Sequence, residues 1–162
     1  MLNTRFLLAH PAHFIALGFG SGLSKVAPGT VGSLWAWALF VVLQVFLSPL
    51  QWGILLLVSV LVGWWACTVC ALHLGVADPG AIVWDEFIGM WLVLWLLMPA
   101  SFGTQCVAFA LFRFFDATKP GLVKWADHCF KGFGWRGGWG ILFDDLVAAF
   151  CTLLVLALWR VL

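Results

Sequence analysis

The sequence predicts an all-α, multi-pass helical integral membrane protein with short or broken middle helices and an acidic site on its cytoplasmic face, and three observations carry that expectation. First, the 162-residue chain is 64% hydrophobic and only 9% charged, with a mean hydropathy of +1.08. Average soluble chains are about 45–50% apolar and about 25% charged, and a soluble domain of this size leaves too much surface exposed to hide so many apolar side chains. Second, the apolar residues gather into long uncharged stretches. Third, Trp35, Trp52, Trp84, Trp91 and Trp159 lie near the ends of those stretches, where an aromatic belt would place them; simple packing is the other reading of each.

Taken in order, residues 1–30 form an interfacial segment and a Gly-rich loop, and residues 31–162 a helical bundle, in one domain. His10, Pro11 and His13 interrupt the apolar run that follows Arg5, which makes it a poor signal-peptide core. Residues 31–48 and 51–74 are uncharged and read as a hairpin of two spans turning at Pro49. Residues 87–112 are apolar but broken near 99–103, and residues 146–162 form the last stretch. All seven carboxylates fall between Asp78 and Asp145. The segment 115–145 also holds Lys119, Lys124, Lys131 and Arg136, so the positive-inside rule places it in the cytoplasm, and its glycines predict irregular backbone. For Asp85 to meet Asp116, residues 87–112 must go out and back on helices extended at both ends. One long tilted span over that stretch is the competing topology, and it would separate the acids.

Net charge is +1 and the basic residues are scattered, so no nucleic-acid partner is expected. Five cysteines without framework spacing do not make a disulfide scaffold; Cys67 and Cys70, inside an apolar run, read as small packing residues. His10, His13, His73 and His128 show no metal-ligand spacing.

The chemistry sits in the acids and bases. Charges at bilayer depth cost a few kcal/mol each unless paired, hydrated or bound to metal. Two doublets, Asp85–Glu86 and Asp144–Asp145, each read as opening an apolar helix, with Asp116 beside a helix end. One doublet alone could be a helix cap. Carboxylates drawn from several helices, with no His or Cys partner, suit a hard divalent cation, Mg2+ above all. Arg113 and Asp116 share a helix face and Lys119 follows; they read either as an internal ion pair with a solvated lysine or as a fork for phosphate. The segment 18–33, GFGSGLSKVAPGTVGS, runs into a helix and could present backbone N–H groups to an anion, though it lacks the P-loop frame. Metal-seeking acids and anion-seeking bases together suggest phosphoryl chemistry at a membrane. A small membrane transporter with buried acids as a cation path, and a non-catalytic scaffold, are the alternatives.

Four segments carry a resemblance: GFGSGLSKVAPGTVGS (18–33), DPGAIVWDEFIGMW (78–91), FRFFDATKP (112–120) and GILFDDLVAAF (140–150). In order and together they resemble the signature segments of the phosphatidylglycerophosphatase A family. The resemblance implies an all-α fold and magnesium-dependent dephosphorylation of the phospholipid phosphatidylglycerophosphate at the bacterial inner membrane. It implies metal ligation by Asp85, Glu86, Asp116, Asp144 and Asp145, with Asp116, Asp85 and Glu86 catalytic. Lys25, Thr30, Arg113 and Lys119 would bind phosphate. The residues after Pro120, Gly-Leu-Val-Lys, depart from the expected aromatic-proline step and leave the lipid contacts there undefined.

Overall fold

The computed structural model describes residues 2–161, which are helical with no strand among them. Met1 and Leu162, the limits of the expected domain, lie outside the described residues. The helices are α1 (Thr4–Leu8), α2 (Pro11–Ala16), α3 (Pro28–Leu43), α4 (Pro49–Leu74), α5 (Trp84–Leu97), α6 (Phe102–Thr118), α7 (Leu122–Cys129) and α8 (Gly134–Val161). A 3-10 segment, Gly18–Leu23, joins α2 to α3.

Local sequence sets several boundaries. α4 opens with a capping box in which Ser48 and Gln51 satisfy each other's backbone, has Pro49 in its first turn, and stops at Gly75 in the left-handed conformation. Ser101 caps α6, accepting a hydrogen bond from the Thr104 N–H at 3.2 Å.

α5 is the central helix. It packs against α3, α4, α6 and α8, and α8 in turn packs against α4, α6 and α7. Ten of its fourteen residues are buried, so it is apolar on nearly every side because nearly every side meets a neighbour. The outer helices are built the other way round. On α4 the buried face beyond Trp52 and Leu56 is small or polar (Ser59, Gly63, Ala66, Cys67, Cys70, Ala71), while Leu50, Ile54, Leu57 and Leu61 face outwards. That polarity suits a hydrocarbon solvent, where small residues let helices approach closely. α4 has 26 residues, about 39 Å of helix, and both α4 and α8 are long enough and apolar enough to cross a bilayer. Cys67 and Cys70 are buried free thiols.

Residues 87–112 go out and back. α5 and α6 are helices of 14 and 17 residues joined by a turn at 98–101, and the single tilted span is overturned. Two other expectations need correction. The last helix begins at Gly134, not at Asp144, so the Asp144–Asp145 doublet lies inside a continuous helix and caps nothing. Its glycines are helical because they are crossing points: a Cβ on Gly138 would lie 2.9 Å from Thr68 Cβ on α4, and one on Gly140 would lie 2.8 Å from the Phe130 carbonyl. Close packing outweighs their low helix propensity of about 1 kcal/mol each. The aromatic belt also fails in part. Trp35 and Trp159 are exposed, but Trp52, Trp84 and Trp91 are buried. Trp84 donates its indole N–H to the Ser59 carbonyl at 3.0 Å and Trp91 to the Ala36 carbonyl at 2.8 Å, so they bridge helices.

Candidate active site

The packing around α5 brings the acids to one end of the bundle. Asp85 and Glu86 occupy the first turn of α5, Asp116 stands near the end of α6, and Asp145 comes from the fourth turn of α8. One carboxylate oxygen from each of Asp85, Glu86 and Asp145 falls within 4.8 Å of the other two. Asp85 Oδ1, Glu86 Oε2 and Asp145 Oδ2 are each buried with no hydrogen-bond partner in the protein. A cap would have tied Asp85 and Glu86 to the free N–H groups of α5; their orphaned oxygens exclude that as a full account. Unpaired buried carboxylates of like charge are costly, and a hard cation would satisfy all three at once. These are the residues that could hold a metal.

Two cations pair with acids at this end of the bundle. Arg113 Nη1 donates to Asp116 Oδ2, lies 3.8 Å from Glu86 Oε1 and reaches Ser33 Oγ at 3.4 Å. Ser33 in turn donates to the Gly29 carbonyl at 2.9 Å, which ties the first turn of α3 to the arginine. The approach is close enough that a Cβ on Gly29 would collide with Glu86 Oε1 and lie 3.2 Å from Arg113 Nη2. Arg113 Nε remains buried and unpartnered. The Gly29 and Thr30 amides belong to the unpaired first turn of α3, so a helix N-terminus points its dipole at the same place.

The second cation, Lys119, caps α6 with a left-handed backbone (φ 46) that swings its side chain back under the bundle. Left-handed non-glycine residues cost about 1–3 kcal/mol and gather at functional sites. Lys119 Nζ donates to both Asp127 on α7 and Asp144 on α8. Asp127 also takes Lys131 Nζ at 2.8 Å. Burial favours the neutral lysine, but the two carboxylates outweigh it and raise the Lys119 pKa, so its ammonium stays charged. Burial likewise opposes the charged Asp127, yet its hydrogen bonds to Lys119 and Lys131 hold its pKa below the usual carboxylate range.

The expected site residues therefore divide. Asp85, Glu86 and Asp145 converge; Asp116 and Asp144 are nearby but take internal cations instead. Arg113 stands beside the cluster, 3.8 Å from Glu86, and Lys119 is tied to Asp144, the chain neighbour of Asp145. Thr30 lies in the adjacent turn of α3 with no side-chain hydrogen bond among the described residues, and Lys25 is exposed, three residues before that helix, with no ion pair among them. Sequence reasoning passed over Asp127 and Ser33 as site residues. Asp127 gave little signal, because its i,i+4 pairing with Lys131 reads as an ordinary helix-surface pair and its other partner, Lys119, stands eight residues back across a turn. Among the described residues no carboxylate lies towards the other end of the bundle, so nothing there lays a charged path across it.

A family model described as Phosphatidylglycerophosphatase A matches residues 14–160. The chain is 39% identical over 146 residues to the phosphatidylglycerophosphatase A of Escherichia coli (strain K12), covering 90% of this chain and 81% of that one. It is 40% identical over 148 residues to the phosphatidylglycerophosphatase A of Haemophilus influenzae, covering 91% and 88%. No solved structure matches it.

Proposed function

The chain belongs to the phosphatidylglycerophosphatase A family, and from that premise we propose that it is a magnesium-dependent phosphatase that hydrolyses the terminal phosphomonoester of phosphatidylglycerophosphate to phosphatidylglycerol and phosphate. The observation that carries the reading is the trio of orphaned oxygens on Asp85, Glu86 and Asp145 beside Arg113 and the α3 N-terminus. That donor set fits Mg2+: all oxygen, acidic, with no His or Cys. Bound there, the cation would supply Lewis-acid neutralisation of charge on the phosphoryl oxygens.

The chain's own residues do the rest. Arg113, Lys119 and the Gly29 and Thr30 amides hold the non-bridging oxygens and fix the phosphorus for in-line attack. Asp116, oriented by Arg113, accepts the proton of the attacking water. The bond from the water oxygen to phosphorus forms as the bond to the glycerol oxygen breaks; that oxygen takes up a proton from solvent water, and Asp116 returns its own to solvent. The acyl chains stay against the outward apolar faces of the helices, so the headgroup reaches the acids without leaving the bilayer.

The setting is a bacterial inner membrane with the site facing the cytoplasm. Arg5, Lys25, Arg113, Lys119, Lys124, Lys131 and Arg136 all lie towards the acidic end of the bundle, the asymmetry expected of a cytoplasmic face.

The test is phosphate release by the purified chain in detergent, from phosphatidylglycerophosphate and from phosphatidic acid, with Mg2+ and with EDTA. Release that needs Mg2+ and favours phosphatidylglycerophosphate is expected. Release that survives EDTA removes the metal, and no release from either lipid by folded protein removes the phosphatase.

A further inference from the structure

Lys119 is held in an unusual way for a residue that must meet a substrate. Its ammonium has three donors. Two are taken by carboxylates from different helices, Asp127 of α7 and Asp144 of α8, and no protein partner takes the third among the described residues. The side chain is 31% exposed, so the remaining donor has access to a ligand, whereas Asp127 and Asp144 are 12% and 9% exposed and largely closed off. Asp144 precedes Asp145, a member of the orphaned trio, so the lysine is anchored to the same turn of α8 that supplies the cluster.

The backbone shows the same arrangement. Lys119 and Gly121 both have positive φ, 46 and 52, around Pro120. This turn brings α7 beneath the site and delivers Asp127 to the lysine. Asp127 is itself buttressed: its other oxygen accepts from Lys131 at 2.8 Å, one helical turn on, and His128 lies at 3.5 Å. A carboxylate that serves only to neutralise a lysine needs no second cation. One locked from both sides sets a direction.

We propose that Asp127 is a positioning residue for the phosphoryl-transfer reaction: through its bond to Lys119 Nζ it aims the free donor of that ammonium at the phosphate, and α7 exists in this fold to carry it. The inference rests on the phosphatase reading above. Asp127 touches neither the phosphate nor the trio. Without it Lys119 turns on Asp144 alone and loses its aim, and the loss falls on the transition state more than on substrate binding.

The experiment compares wild type, Asp127→Asn, Asp127→Glu, Lys119→Met and the Lys119→Met/Asp127→Asn double variant, all in detergent with phosphatidylglycerophosphate. Asp127→Asn is expected to lower kcat roughly tenfold to a hundredfold, the range for removing the outer partner of an active-site group. KM should change less than about threefold, and Asp127→Glu should restore much of the rate. In the Lys119→Met background the same Asp127→Asn change should cost less than about twofold, because residues acting as a unit are not additive. An independent readout needs no activity: acetylation of Lys119 by acetic anhydride, measured by peptide mass spectrometry against Lys25. It should rise in folded Asp127→Asn and stay near wild type in Asp127→Glu. An equal loss with and without Lys119, or Lys119 labelling unchanged against Lys25, overturns the positioning role while leaving the phosphatase in place. A wild-type chain that releases no phosphate overturns the phosphatase reading, and this role falls with it.

Discussion

Asp144 and Asp145 are chain neighbours on α8, yet they live in opposite electrostatic worlds. Successive residues of a helix point about 100° apart. Asp144 turns towards α7 and meets Lys119, already shared with Asp127. Asp145 turns towards α5 and meets Asp85 and Glu86, leaving a buried oxygen of each without a partner. The first cluster is electrically complete within the protein, and the second is not. A carboxylate's role therefore follows from what faces it, and two adjacent aspartates can divide structural and ligand duties between them.

The contrast is broken most directly by neutralising each acid in turn. If the proposed site holds a cation, Asp145→Asn removes one of its ligands, and phosphate release is expected to fall about a thousandfold, the several kcal/mol that such a cation contributes. Its metal-free form should nevertheless melt higher than wild type, since one unpaired buried charge has gone. Asp144→Asn should do the reverse to stability, lowering the melting temperature by leaving Lys119 half-paired. Calorimetry in EDTA reads both, and equal shifts in the same direction would erase the distinction between the clusters.

A next smaller effect sharpens the geometry of the incomplete cluster. Gly29→Ala places a methyl group against Glu86 Oε1. Displacing a reacting group by about 1 Å can cost about a hundredfold, so kcat should fall on that order while the melting temperature barely moves. Wild-type activity in this variant would mean that the first turn of α3 is not part of the site. Mg2+ itself supplies a third test. At a hundred times its dissociation constant it should stabilise wild type by about 2.7 kcal/mol and leave Asp145→Asn unmoved.

The smallest effect lies outside both clusters, where α2 docks on α4. His13 Nε2 and His73 Nδ1 are 2.7 Å apart, and the other His13 nitrogen bonds the Phe6 carbonyl at 2.8 Å. His10 faces the same pair, its ring 5.4 Å from that of His13. Burial, with His73 and His10 adding to it, lowers the His13 pKa from 6.5 against the Phe6 hydrogen bond. The unfolded ring therefore binds a proton at a higher pH than the folded one, and stability rises with pH through that interval. Docking should be complete above about pH 6.5 and weaken below it. Melts at pH 7.5 and 5 should differ by a few degrees, and His13→Ala should flatten the difference. An unchanged pH profile in His13→Ala would place the sensitivity elsewhere.

Much of this was legible in the chain. Composition and the uncharged apolar stretches determined an all-helical protein suited to a bilayer, because hydrocarbon-length helices announce themselves by local hydropathy alone. The position of the acids beside broken apolar stretches marked Asp85, Glu86, Asp116, Asp144 and Asp145, because a charge next to such a stretch is conspicuous without knowing its partner. The four motifs gave the family, and the breaks at Pro49 and at 99–103 gave the turns. Tertiary structure alone decided which acid faces a cation and which faces other acids. It also decided that Asp127 and Ser33 join the site, that the glycines of α8 are helical crossing points, and that Trp52, Trp84 and Trp91 turn inwards. Each of these depends on pairings between helices far apart in sequence. Helical periodicity fixes the angle between neighbouring side chains, but only packing fixes what stands at that angle.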